Sequence, residues 1–175
     1  MKIIFHIGPH KTGTTTLQNF LLRQFGSEHP KKIWYPSPRG NGPGHALIAW
    51  DCLGLNGHQK SVSSLSNIIQ NAGKQNTDVV VLSSEIFSLG IRKYHQEMNR
   101  LFAGNELHLI LTLRNLLLMA PSIWQERVKH GFYTPLEDCV IDRFHPMFAA
   151  QFYENYYRFL QPYAMSIIIS APRDQ

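Results

Sequence analysis

Cysteine is scarce in this sequence, which has only Cys52 and Cys139 among its 175 residues. Two thiols cannot form a disulfide framework or a four-cysteine zinc site, and we expect free thiols of the kind found in a reducing cytosol. Histidine is more frequent, but the sequence contains no His-Glu-x-x-His and no Cys-x-x-Cys pattern. We therefore predict that the protein holds no metal.

Long hydrophobic runs are also missing. No apolar run reaches the roughly 18 residues that a membrane-spanning helix needs, so we expect no integral membrane segment. The chain begins directly with an apolar strand pattern at residues 2–7, which leaves no room for a signal peptide. These features predict a cytoplasmic protein.

Blocks of like charge are the third absence. The formal net charge is +5, which suits an anionic ligand, but the lysines and arginines are scattered along the chain. A nucleic-acid-binding domain usually concentrates them on one surface, so we predict no nucleic-acid partner. The hydrophobic content of 43% is ordinary for a globular protein, and the length is sufficient for one domain with its own core.

Apolar strand patterns alternate with helical patterns along the chain. Strands are predicted at residues 2–7, 33–35, 78–82, 107–113 and 167–169. Helices are predicted at 14–25, 45–55, 61–72, 92–102, 116–129 and 148–160, with Pro121 expected to kink or bound one of them. This alternation is typical of an α/β fold with a mostly parallel sheet and helices on both faces. Two long loops, at 36–44 and 130–146, are expected to face a substrate.

The turn between the first strand and the first helix has the composition of a phosphate cradle. Gly8 and Gly13 permit backbone geometry that a Cβ would hinder, Lys11 adds a positive charge, and Thr14 and Thr15 add hydroxyl donors. The N-terminus of a helix favours an anion. The turn is not a standard Walker A loop, because its lysine precedes the second glycine instead of following it.

A second motif follows the strand at 107–113, which ends at Arg114; Ser122 lies in the next helix. Taken with residues 11–15, this motif resembles the sulfotransferase family, whose donor is 3′-phosphoadenosine 5′-phosphosulfate (PAPS). The stretch 5–15 is most similar to bacterial sulfotransferase-like proteins. The resemblance implies a three-layer, P-loop-like α/β fold.

The resemblance also implies roles for individual residues. The 3′-phosphate of the donor would be bound by Arg114 and Ser122. The 5′-phosphosulfate would be bound by the first loop, at His10, Lys11, Thr12, Gly13, Thr14 and Thr15. Simpler interpretations remain open, since Arg114 could form a surface ion pair and Ser122 could begin a helix.

Sulfuryl transfer needs a positive charge beside the leaving oxygen, and Lys11 is the candidate. It also needs a base for the proton of the acceptor. Glu85 follows the buried strand at 78–82, and ligands of doubly wound sheets lie at the carboxyl ends of strands. Glu85 is therefore our first candidate for the base. His45 is the second, and each also has a purely structural interpretation.

The expected molecule is a single sulfotransferase-like domain over residues 1–175, which either is truncated at the C-terminus or lacks part of the nucleotide clamp. Family members usually continue past the last strand with a basic segment that contacts the 3′-phosphate, and this sequence has no equivalent. The expected partners are the nucleotide donor and an acceptor such as a carbohydrate, a lipid or a small alcohol. Two alternatives stay open: a nucleotide-binding protein without turnover, and a P-loop kinase of a small metabolite.

Overall fold

The computed structural model describes residues 1–88, 100–131, 133, 135–138 and 164–170. For residues 116–118 and 164–170 it describes the backbone only. Cys139 and the predicted helix at 148–160 lie outside the described residues, as do most of the predicted helix at 92–102 and most of the loop at 130–146.

The described residues form a six-stranded sheet in which every paired neighbour is parallel. The strands are β1 (Lys2–Ile7), β2 (Gly26–Ser27), β3 (Ile33–Pro36), β4 (Val79–Ser83), β5 (Glu106–Arg114) and β6 (Ala164–Ser170). Their order across the sheet is β2-β3-β4-β1-β5-β6. Because β1 lies between β4 and β5, the turn that follows it sits near the middle of one sheet edge.

Helices connect these strands. In the part of the chain that the structure describes, they are α1 (Thr14–Phe25), α2 (Ala46–Leu53), α3 (Ser63–Lys74) and α4 (Leu116–Lys129). The chain passes through α1 on its way from β1 outward to β3, and through α2 and α3 on its way back to β4. Right-handed crossovers that run in opposite directions put their helices on opposite faces of a sheet. The prediction of an α/β fold with a parallel sheet is confirmed.

The main core lies on the side of the sheet that α2 and α3 cover. Along β1, side chains alternate between the two faces, and Ile3, Phe5 and Ile7 pack in one cluster with Ile48 of α2 and Leu65 of α3. All five are almost fully buried. This packing fixes the register of β1, since a slip of one residue would turn its apolar side chains to the other face.

The structure adds to the sequence predictions at two places. Gly26 and Ser27, for which no strand was predicted, form β2 by pairing with Tyr35 and Pro36 of β3. A strand of two residues with low β propensity leaves no sequence signal. Pro121 lies inside α4 and does not end it.

Candidate functional site

The turn after β1 is held in a constrained backbone conformation. A Cβ at Gly8 would lie 2.6 Å from the carbonyl oxygen of Thr112, so only glycine fits there. Gly13 precedes α1 with a left-handed φ of 83°. Lys11 also has a left-handed φ, of 70°, which costs a non-glycine residue on the order of 1–2 kcal/mol. The surrounding contacts must therefore stabilise this turn.

Hydrogen bonds of the Ser88 and Thr12 hydroxyls stabilise the turn. The Ser88 hydroxyl accepts from the N–H of Gly8 and donates to the Gly8 carbonyl, each at 2.9 Å. Thr12 donates to the carbonyl of Pro9 at 3.0 Å, and its hydroxyl lies 3.1 Å from that of Thr112. Thr12 is thus buried inside the turn, where it contributes to the shape of the loop.

A buried histidine underlies the same turn. His6 of β1 has its Nδ1 2.6 Å from the Ser83 hydroxyl of β4 and its Nε2 3.2 Å from the Thr112 hydroxyl of β5. Burial lowers the pKa of His6 to about 4, so the ring is neutral at pH 7 and joins three strands by hydrogen bonds. Sequence reasoning missed this role, although a histidine within an apolar strand was a visible signal.

The N-terminus of α1 lacks a side-chain cap and has features that favour an anion. Gly13 provides no side-chain cap, and the first turn of the helix contains no acidic residue. The first N–H groups of an α-helix have no intrahelical acceptor, and they carry the positive end of the helix dipole. His10, Gly13 and Thr15 are exposed around this end. The turn therefore has the donors that a phosphate or sulfate group needs.

Lys11 is paired with a residue that the sequence did not suggest. Its Nζ donates to Oε2 of Glu126 in α4 at 2.9 Å. The Glu126 carboxylate also lies 3.6 Å from Nζ of Lys129 and 3.8 Å from Nε2 of His130. The hydrogen bond from Lys11 lowers the pKa of the Glu126 carboxyl. The ammonium group of Lys11 is thus paired with a carboxylate of the protein itself.

Arg114 ends β5 beside the turn. Its Nη1 donates to the carbonyl oxygen of Lys11 at 3.1 Å, so the two sequence motifs meet at one edge of the sheet. Ser122 is partly buried within α4. Since α4 begins at Leu116, Ser122 does not start the helix.

Glu85 lies just past the end of β4 and faces the beginning of α1. The Thr14 hydroxyl donates to one of its carboxylate oxygens, and Nε2 of Gln18 donates to the other at 3.4 Å. Glu85 is partly exposed, whereas Thr14 and Gln18 are buried. The carboxylate is therefore oriented from α1 and adjoins the cradle. Sequence reasoning did not identify Gln18.

His45 has a different environment. The ring is fully buried, and the N–H of Ser83 donates to its Nδ1 at 3.1 Å. The proton of the neutral ring is then on Nε2, which donates to the carbonyl of Pro36 at 2.9 Å. Burial lowers the pKa of His45 to about 4. Both nitrogens are thus used to connect β3 and β4.

Within the part of the chain that the structure describes, no three His, Cys, Asp or Glu side chains come together as metal ligands. In that same part, the helices are too short or too polar to cross a membrane.

Comparison with known proteins finds a likeness among solved structures. No protein-family model and no curated protein matches the chain. Among solved structures, the chain is similar to the crystal structure of a sulfotransferase from Alicyclobacillus acidocaldarius, with a TM-score of 0.57 and 16% sequence identity. The likeness covers 95% of this chain and 72% of that one. It shows that this chain has a sulfotransferase-like, P-loop-like α/β fold.

Proposed function

We propose that this protein is a sulfotransferase that moves a sulfuryl group from PAPS to a hydroxyl or amine of an acceptor. The hydrogen bond from Arg114 to the carbonyl of Lys11 carries the proposal. It joins two motifs that are far apart in sequence, and each supplies a positive charge. Two positive charges beside a helix N-terminus without a side-chain cap suit a ligand that carries two separate anionic groups.

The 5′ end of the donor would be bound at the cradle. The N–H groups at the start of α1 and the exposed Thr15 offer hydrogen-bond donors, and Lys11 offers a charge for the oxygen that leaves with the nucleotide. A fixed positive charge at that oxygen lowers the barrier, since negative charge accumulates there during transfer. His10 and Gly13 complete the exposed part of the proposed contact.

The 3′-phosphate would be bound by Arg114 and Ser122. A guanidinium group can donate two parallel hydrogen bonds to a phosphate. Arg114 already holds the backbone of Lys11, so binding at the 3′-phosphate would be coupled to the geometry of the 5′ cradle. A nucleotide with both groups would therefore bind better than a nucleotide with one.

Glu85 is the proposed base, and it would take the proton of the acceptor hydroxyl. It adjoins the cradle through Thr14 and is partly exposed. His45 is the weaker candidate, because both of its nitrogens are hydrogen-bonded inside the protein and burial lowers its pKa to about 4. The acceptor class that we propose is a carbohydrate, a lipid or a small alcohol.

Calorimetric titration tests the proposal directly. The chain should bind adenosine 3′,5′-bisphosphate more tightly than AMP, ATP or GTP, because only the first ligand has a phosphate at each proposed contact. A preference for ATP or GTP would contradict the proposal and favour a kinase. Tight binding of the bisphosphate without transfer to any hydroxyl acceptor would favour a nucleotide-binding protein.

Replacement of Arg114 tests the 3′-phosphate contact. Arg114→Ala should weaken binding of adenosine 3′,5′-bisphosphate by about tenfold or more, as expected for a charge-assisted hydrogen bond. Binding of AMP should change much less. Arg23→Ala is the matched control, since Arg23 is exposed in the last turn of α1, away from the cradle. Equal losses for both nucleotides would show that Arg114 does not contact the 3′-phosphate.

A further inference from the structure

Glu126 is the side chain that accepts the hydrogen bond of Lys11, and nothing in the proposed reaction uses it. The two side chains come from the turn after β1 and from the last part of α4, and both remain partly exposed, at 34% and 41%. Their contact is a hydrogen-bonded ion pair of 2.9 Å. Both groups can therefore exchange partners without unfolding any element.

The position of Glu126 in its helix is unfavourable for a carboxylate. It lies in the last turn of α4, where the helix dipole favours cations. Three cationic or titratable groups surround it: Lys11 from the turn, and Lys129 and His130 from its own end of α4. Lys129 and His130 are more exposed than Lys11 and lie farther from the carboxylate. Lys11 is thus its principal partner.

An anion in the cradle would compete for that partner. Lys11 lies in the same turn that presents the N–H groups of α1. An anion bound at these groups would therefore attract the ammonium group of Lys11. The same ligand would be repelled by the negative charge of Glu126, which is hydrogen-bonded to Lys11 of the same turn, because like charges destabilise each other. The existing ion pair therefore opposes the binding of any anion.

We propose that Glu126 is the exchange partner of Lys11: it holds the lysine in the empty protein, releases it when an anion binds in the cradle, and takes it back when the ligand leaves. This inference rests on the part of the proposed function that makes the cradle an anion site. The other role open to Glu126 is to orient Lys11 toward the ligand throughout binding. The two roles predict opposite changes in affinity when the charge of Glu126 is removed.

The experiment measures affinity by calorimetry with two probes, inorganic pyrophosphate and adenosine 3′,5′-bisphosphate. Glu126→Gln should tighten the binding of both by about two- to fivefold, the range expected from an exposed ion pair. Glu106→Gln is the matched control: Glu106 pairs with Lys2 at 3.0 Å and is also exposed, so its replacement changes the net charge equally. It should leave both affinities unchanged.

A second comparison uses the Lys11→Ala background. If Glu126 acts by holding Lys11, Glu126→Gln should have a much smaller effect on affinity once Lys11 is absent. Weaker binding in Glu126→Gln would overturn the exchange and assign an orienting role instead. An effect equal to that of Glu106→Gln would also overturn it, because the change would then report net charge alone.

The two probes separate this inference from the proposed function. Binding of pyrophosphate without any preference for the bisphosphate would contradict the sulfotransferase proposal, while tighter binding in Glu126→Gln would still support the exchange. Normal nucleotide preference with no change in Glu126→Gln would overturn the exchange alone. A chain that binds neither probe overturns both.

Discussion

The two edges of the sheet each carry a lysine–carboxylate pair, yet the pairs have different surroundings. Lys11 and Glu126 meet at 2.9 Å at the carboxyl ends of the strands, and Lys2 and Glu106 meet at 3.0 Å at the amino ends. Lys2 and Glu106 are direct neighbours in the register of β1 and β5, so strand pairing alone explains their contact. Lys11 and Glu126 come from a turn and a helix with no such register.

The backbone and the buried groups distinguish the two edges. Lys2 lies in a regular strand, whereas Lys11 has a left-handed φ of 70° and its carbonyl is held by Arg114. Buried polar side chains, among them His6, lie under the turn that contains Lys11. Strained backbone that its surroundings hold in place clusters at functional sites, whereas an exposed ion pair contributes little even to stability. The charges alone would not show which edge is functional, because each edge carries a lysine–carboxylate pair.

The largest expected effect is at Glu85. Glu85→Gln keeps the shape of the side chain and removes its ability to accept a proton, so turnover should fall by about a hundred- to ten-thousand-fold. Affinity for adenosine 3′,5′-bisphosphate should change little. The measurement is the rate of sulfuryl transfer to a hydroxyl acceptor beside a calorimetric titration of the nucleotide.

Glu106→Gln serves as the control for Glu85→Gln, because it removes a carboxylate at the other edge and should leave turnover unchanged. If Glu85→Gln retains activity while His45→Ala loses it without unfolding, the role of base moves to His45. Full activity in both variants would mean that neither residue is the base.

Removal of Lys11 should have the next largest effect on turnover. Lys11→Ala should lower turnover by roughly a hundred- to a thousandfold, as loss of one electrostatic contact to a developing anion does. Lys2→Ala is the matched control, since it removes the lysine of the other ion pair and should not affect turnover. Equal activities of the two variants would remove the functional distinction between the edges.

The fold was predictable where several signals coincide. The bounds of β1 and α1 match those expected, because an apolar strand, a turn with two glycines and an apolar helix follow one another directly. The short strand β2 was not predictable, since Gly26 and Ser27 pair only because β3 lies beside them.

The site was predictable in its motifs and not in its side-chain contacts. The position of Glu85 beside the cradle follows from the end of a strand, which sequence patterns can locate. The partner of Lys11 could not be found in this way, because Glu126 reaches it only through the packing of α4 near the turn. The buried contacts of His45 likewise depend on Ser83 and Pro36, which belong to two other strands.

The two buried histidines predict a pH dependence of stability. Burial lowers the folded-state pKa of His6 and of His45 to about 4, whereas the ordinary value is 6.5. Between these values the unfolded chain binds more protons, so the free energy of unfolding should rise with pH from about 4 to about 6.5 and then level off. Each histidine can contribute up to about 3 kcal/mol to this rise.

Urea unfolding between about pH 4.5 and pH 8 measures this dependence. His45→Asn should flatten the rise by about half, because asparagine has no proton to gain, although the variant will be less stable at every pH. His108→Asn is the control, since His108 is only partly buried on β5. An unchanged slope in His45→Asn would show that His45 does not remain neutral in the folded protein.

The smallest expected effect is at the amino ends of the strands, where Lys2 and Glu106 form a cross-strand pair with side chains that are 38% and 62% exposed. A double-mutant cycle of Lys2→Ala and Glu106→Ala should give a coupling energy below about 1 kcal/mol in urea unfolding, because solvent screens exposed pairs and ordering two long side chains has an entropic cost. Nucleotide affinity should be the same in all four proteins. A larger coupling, or a change in affinity, would mean that β1 and β5 transmit the state of this pair along the sheet to the cradle, and the two edges could then no longer be treated as independent.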